Sequence, residues 1–183
     1  MKVSKTTLDD VLVIDPESFP DHRGEYIETF NKASFGSALR AFGMPVIDEN
    51  RLREFGRPPV EFVQDDYSCS ILDVLRGVHG DAETWKLVYC PIGTIFLAVV
   101  NWDANSPQYR QWETFTISGV NHRQVLIPPK FGNGHLVLSD QAIFAYKQST
   151  YYGEFPQFTI PWNSLGIPWP CRNPILSERD ANA

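Results

Sequence analysis

The run from Val74 to Val88, VLRGVHGDAETWKLV, gathers a guanidinium, an imidazole, two carboxylates and an ammonium inside a strand-like stretch. An imidazole titrates near neutrality, so His79 could move protons, ligate a metal, or fill the interior with one satisfied hydrogen bond. Each use requires different company. A metal would need His79 with Asp81 or Glu83 and a second histidine such as His135, a mixed set suited to iron, manganese or nickel. The His-x-His pair common in metal-holding jelly rolls is incomplete, because Asp81 stands at the second position. Proton transfer without a metal would need a carboxylate to orient the ring and a second proton carrier opposite, for which Tyr146 is the candidate. Packing would need only apolar neighbours.

Arg23 in DHRGEY, Arg76 in VLRGVH and Lys86 in TWKLV lie beside glycine or within apolar runs, where a few local cations could hold a small anionic ligand. Arg76 and His79 are three apart, and an ideal strand points such residues to opposite faces. A bulge or bend near Gly77 is required to aim both at one pocket.

The elements that must carry these groups are strands. From Val60 onward, β-branched and aromatic runs recur between turns: VEFVQDDYSCSI, WKLVYCPIG, TIFLAVVNW, QWETFTIS, RQVLIPP, HLVLSD and AIFAYKQ. Such spacing predicts an all-β antiparallel sandwich or barrel of the jelly-roll kind. Alternation sets Ala142, Phe144 and Tyr146 on one face of AIFAYKQ, and His135, Val137 and Ser139 on one face of HLVLSD. DHRGEY and PPKFGNGH read as loops at strand ends. A short helix fits ASFGSALRAF, with Phe35, Leu39 and Phe42 at helical spacing, followed by a loop over GMPVIDENRLREFGRPPVE.

Bulk properties narrow the function. The 183 residues suit one domain over 1–183, and no apolar run approaches the length of a membrane span. A net charge of −6 without a basic run argues against nucleic acid as a partner. Three scattered cysteines, Cys69, Cys90 and Cys171, suit a reducing compartment. The N-terminus lacks the apolar core of a secretory signal and reads as that of a cytoplasmic protein.

Taken in order, DHRGEYIETF, FVQDDYS, VLRGVHG, KLVYCPIGTIFLAVV, SPQYRQW, LIPPKFGNGHLVLS, FAYKQSTYY and the closing PILSERD resemble the signature blocks of the dTDP-4-dehydrorhamnose 3,5-epimerase family. The resemblance implies a cupin-like jelly roll with short peripheral helices. It further implies a homodimer that epimerises a nucleotide-diphosphate-linked 4-keto-6-deoxysugar without a cofactor or metal. On that pattern His79 is the base, Asp180 its carboxylate partner, Tyr146 the acid and Lys86 the cation near the ketone oxygen. Arg23 and Arg76 match diphosphate contacts, while Gln64, Asp66 and Tyr152 fall where the family holds nucleotide and sugar; Glu28, Asn133 and His135 complete the expected substrate contacts. The strand-like EYIETF could extend a neighbouring copy's sheet edge.

Three blocks depart from the commonest pattern: GDAETWKLV shortens the loop after the histidine, QDN reads QDD, and FAHGF reads FGNGH. These changes resemble the branch acting on GDP-linked 4-keto-6-deoxyheptoses in capsule biosynthesis. Asn133 in place of a histidine leaves open whether C3, C5 or both are inverted. The alternatives are a 3,4-ketoisomerase of the same fold, a metal-dependent oxygenase, and a sugar-binding module without catalysis.

Overall fold

The structure, a computed structural model, describes residues 1–41 and 60–183. Among the described residues, thirteen strands and two helices follow in chain order. They are β1 (Lys2–Lys5), β2 (Leu12–Asp15), β3 (Ser18–Asp21), β4 (Gly24–Ile27), α1 (Lys32–Ala41), β5 (Gln64–Ile71), β6 (Leu75–Gly80) and β7 (Lys86–Ile92). After these come β8 (Thr94–Asn101), β9 (Trp112–Ser118), β10 (Gln124–Ile127), β11 (Phe131–Val137), β12 (Gln141–Gln148), β13 (Phe158–Thr159) and α2 (Glu178–Ala181).

Two antiparallel sheets carry the fold. One has the order β1-β2-β10-β7-β12-β5 and the other β13-β6-β11-β8-β9, with β3 and β4 forming a separate hairpin. The all-β jelly-roll expectation holds, and each apolar run quoted above contains a strand. Sheets with one face turned inward bury alternate residues. Val88 and Cys90 of β7, Val125 and Ile127 of β10, and Ala142 and Phe144 of β12 accordingly meet Leu97 and Val99 of β8 and Ile117 of β9 in the central core.

The outer faces are covered as well. Phe35 and Leu39 of α1 pack with Leu12, Ile14, Leu87 and Leu126 on the back of the six-stranded sheet. Asn31 caps this helix, its side-chain oxygen accepting from the amides of Ala33 and Ser34 at 3.0 and 3.2 Å. Phe42 and most of the charged loop after it lie outside the described residues. On the back of the other sheet, Ile160 and Ile167 of the C-terminal segment cover Val78, Ala98 and Val100.

One local expectation changes. PPKFGNGH is not a loop beyond Lys130, because Phe131–His135 runs inside β11 and pairs residue for residue with β8. The first three residues of EYIETF lie in β4, which pairs with Ser18–Asp21 as a hairpin.

The bulge required near Gly77 is present. Asn133 pairs with His79 and His135 with Arg76, so β6 spends three residues where β11 spends two. That extra residue turns Arg76 and His79 to the same side. Gly77 sits at φ +115°, and the Gly77–Val78 peptide bond is cis. A Cβ at Gly77 would lie 2.6 Å from Gly134 Cα and 2.7 Å from the Asn133 carbonyl oxygen, both backbone atoms that cannot swing aside. Gly77→Ala should therefore cost about 2–4 kcal/mol of stability and misaim both side chains, checked by denaturant melts beside turnover. A melt within 0.5 kcal/mol of wild type would contradict this packing.

Candidate active site

A cavity of about 280 Å³ opens at one end of the interior, between the two sheets. Its walls follow from strand alternation. β6 and β11 of the five-stranded sheet contribute Arg76, His79, Asn133 and His135, while β7, β12 and β5 of the six-stranded sheet contribute Lys86, Phe144, Tyr146, Gln148 and Ser68. The C-terminal segment closes the rim with Ser177, Arg179 and Asp180.

His79 and Asp180 form the tightest polar contact of the cavity, Nε2 to Oδ1 at 2.6 Å. The carboxylate is 4% exposed, and its second oxygen accepts the Gly77 amide at 3.4 Å. α2 places it there: Ser177 caps the helix, and its hydroxyl accepts the Asp180 amide at 3.2 Å. A carboxylate only accepts, so Nε2 of His79 carries the hydrogen and the Nδ1 lone pair is the free one. Burial pushes the imidazole below its ordinary value, Asp180 opposes that shift, and Arg179 and Lys86 reinforce it. The ring is therefore neutral near pH 7, the form that can accept a proton.

Tyr146 stands on the opposite sheet. Burial, Asp66 and Tyr152 raise its phenol above the ordinary range, with Arg76 opposing, so it keeps its proton. Lys86 is partly buried; desolvation lowers it, Asp81 raises it and Arg179 lowers it. Proton acceptor, proton donor and ammonium thus share one cavity, with acceptor and donor on facing walls.

The other expected residues sort by position. Tyr152 lines the cavity. Gln64 and Asp66 share the inward face of β5 with Ser68 and bond to residues of the cavity lining: Gln64 Oε1 accepts the Tyr152 amide at 2.7 Å, and Asp66 Oδ2 accepts from Gln148 Nε2 at 3.1 Å and from Gln64 Nε2 at 2.7 Å. Arg23 and Glu28 do not line the cavity. Arg23 is exposed at the tip of the β3–β4 hairpin and paired to Asp21 at 2.6 Å, and Glu28 accepts from Asn31 Nδ2 at 3.1 Å.

The set weighed for a metal does not converge. Asp81 Oδ1 accepts the amides of Glu83 and Thr84, and no group of three potential ligands occurs among the described residues. Arg179 was missed by sequence reasoning. Its guanidinium donates to Thr159 Oγ1 at 3.0 and 2.9 Å and to Gln157 Oε1 at 3.1 Å, which holds it on the rim. The one available signal was its place beside Asp180 in a four-residue helix.

The sequence profile described as dTDP-4-dehydrorhamnose 3,5-epimerase matches residues 5–183. The chain belongs to that family. A dTDP-4-dehydrorhamnose 3,5-epimerase of Shigella flexneri is 38% identical, the alignment covering 100% of this chain and 94% of that one. A Streptomyces niveus dTDP-4-dehydrorhamnose 3-epimerase is 29% identical over 100% of this chain and 83% of its own. Among solved structures, the Legionella pneumophila dTDP-6-deoxy-D-glucose-3,5-epimerase in complex with dTDP-4-keto-L-rhamnose superposes with a TM-score of 0.85. It is 33% identical, over 100% of this chain and 90% of that one. The chain is thus an enzyme of the epimerase class, and among the described residues no helix is long and apolar enough to cross a membrane.

His135 gives the site a measurable acid dependence. The ring is 3% exposed, stacks on Phe144 at 4.1 Å between centroids, and leaves Nε2 without a partner. Burial, then Arg76, push it down to about 3. A histidine depressed in the folded state binds its proton only on unfolding, so its contribution is whole above the unfolded value of about 6.5 and is lost as pH falls toward the folded one. The stability of wild type relative to His135→Phe should therefore fall steadily from about pH 6.5 toward pH 3, read by urea melts across that range. A difference that is flat with pH would show that the ring is not held neutral.

Proposed function

We propose that the enzyme inverts carbon centres beside the ketone of a nucleotide-diphosphate-linked 4-keto-6-deoxysugar, by proton transfer among its own side chains. The observation that carries this reading is the placement of His79 and Tyr146 on opposite walls of one cavity. A hydrogen on carbon next to a carbonyl can leave as a proton because the C–H electron pair spreads onto the carbonyl oxygen as an enolate. His79 Nδ1 takes that proton from one face, and Asp180 steadies the imidazolium that results. Lys86 donates to the oxygen while it carries charge. Tyr146 then delivers its own proton to the opposite face of the same carbon, and the configuration inverts. Arg76, exposed on the cavity wall and held by Ser70 Oγ at 3.0 Å, supplies the cation for the diphosphate.

The names of the relatives favour a dTDP-linked hexose as the substrate. A GDP-linked 6-deoxyheptose is the second reading, favoured by Asn133 and His135 in the cavity lining, where the FAHGF pattern reads FGNGH. Arg23 and Glu28 sit outside the cavity of their own chain, so their contact with substrate requires a second copy. A homodimer exchanging the β3–β4 hairpin meets that need.

A panel of dTDP-, GDP-, UDP- and CDP-4-keto sugars incubated in heavy water tests these points together. Deuterium is expected at C3, C5 or both, read by NMR, on the preferred carrier. His79→Ala should abolish wash-in, and Tyr146→Phe should slow inversion about 10²–10⁴-fold. A ketone found at C3 in the product would replace epimerisation by ketone migration. Sedimentation showing only monomer at assay concentration, with full activity, would remove the exchanged hairpin.

A further inference from the structure

The two arginines of the cavity lining are anchored without being neutralised. Arg76 Nε donates to Ser70 Oγ at 3.0 Å, and Arg179 donates to Thr159 Oγ1 and Gln157 Oε1. Among the described residues neither has an ion-pair partner within 4.0 Å. Arg23 is the contrast: on its hairpin the guanidinium is paired with Asp21 at 2.6 Å, so its charge is already met. A hydroxyl oxygen fixes the direction of a guanidinium and leaves the whole charge for an anion.

Ser70 is placed for this by the backbone on either side of it. Strand alternation turns it inward with Gln64, Asp66 and Ser68 of β5, and it is 7% exposed. A short turn separates Ile71 from Leu75, pinned by main-chain bonds from Leu72 to Asp140, from Asp73 to Val137 and from Val74 to Ile71. The bond between Arg76 and Ser70 therefore joins the five-stranded sheet to the six-stranded one across a fixed gap. Nε lies at the base of the planar fork. Tying it there holds the plane and leaves both Nη groups, which have no hydrogen-bond partner among the described residues, at its outer end.

We propose that Ser70 is a positioning residue for substrate binding, fixing the Arg76 guanidinium so that its Nη groups meet two oxygens of the diphosphate. This rests on the reading of Arg76 as the diphosphate cation and deepens it. An unheld arginine loses rotamer freedom when it meets a ligand, whereas one held in the folded protein has lost it beforehand. The diphosphate is unchanged by the reaction. Its contact is equally strong in ground and transition states, and so belongs to KM rather than to kcat.

Ser70→Ala removes the anchor and no charge. Calorimetry on the full-length enzyme should show pyrophosphate and the preferred nucleoside diphosphate, dTDP or GDP, binding about 3- to 10-fold more weakly. KM for the nucleotide sugar should rise by a similar factor with kcat little changed. Ser70→Thr keeps the hydroxyl and should restore binding; Ser70→Cys, close in size with a weak acceptor, serves in place of Ser70→Ala should that variant fold poorly. In an Arg76→Ala background, loss of the hydroxyl should cost nothing more, because the serine acts through the arginine. Equal weakening by Ser70→Ala in both backgrounds, or wild-type affinity of Ser70→Ala beside a weakened Arg76→Ala, would overturn the proposal. Wild-type affinity of Arg76→Ala itself would instead defeat the diphosphate reading of Arg76, and the role of Ser70 with it.

Discussion

One buried carboxylate ties the end of the chain to the bulge in β6. Asp180 accepts from His79 through one oxygen and from the Gly77 amide through the other. Side-chain tautomer and backbone bulge are thereby held by the same group. The bulge in turn decides whether Arg76 and His79 share a wall, since without its extra residue the two would face opposite sides of the sheet. A four-residue helix with one serine cap is a weak element by itself. It is held in place by Arg179 on Thr159, by Asp180 on His79, and by the pairing of Thr159 with His79 in the sheet.

The electrostatics of the cavity follow from this arrangement. Arg76, Lys86 and Arg179 bring three cations to walls where the carboxylate of the lining, Asp180, is already engaged by an imidazole. Such a cavity suits an anionic ligand. It also keeps the His79 imidazole uncharged, because burial first, with Arg179 and Lys86 behind it, disfavours the protonated ring against the opposing pull of Asp180. Tyr146 feels the reverse from Asp66 and stays protonated. Imidazole and phenol are set apart by their neighbours, as the proposed proton transfer requires of an acceptor and a donor.

Much of the fold was legible because a sandwich with both faces covered must write its strands as apolar runs, and seven of those runs could be read directly. Alternation placed Tyr146 with Phe144 correctly, and the odd spacing of Arg76 and His79 required the bulge near Gly77. What escaped has physical reasons. Arg23 and Glu28 carry no periodic signal that could say whether their hairpin faces its own cavity. Arg179 is exposed, and its site role depends on a contact with Thr159 twenty residues away. Asp81 looked like a failed metal ligand because spacing alone cannot show a carboxylate turned onto backbone amides.

The glycines of FGNGH explain where such an enzyme can vary. Gly132 and Gly134 face outward, where a Cβ on the first would meet Val78 Cγ1 at 2.8 Å and on the second the Arg76 carbonyl oxygen at 3.1 Å. Those positions are closed by neighbouring backbone and core. Asn133 and His135 alternate with them and face the cavity, where a change of side chain alters what the wall offers without moving the strand. Of the three departures from FAHGF, two therefore fall at Asn133 and His135 on the cavity side, and the third, glycine for alanine at Gly132, removes a side chain on the closed side, while Gly134 is kept.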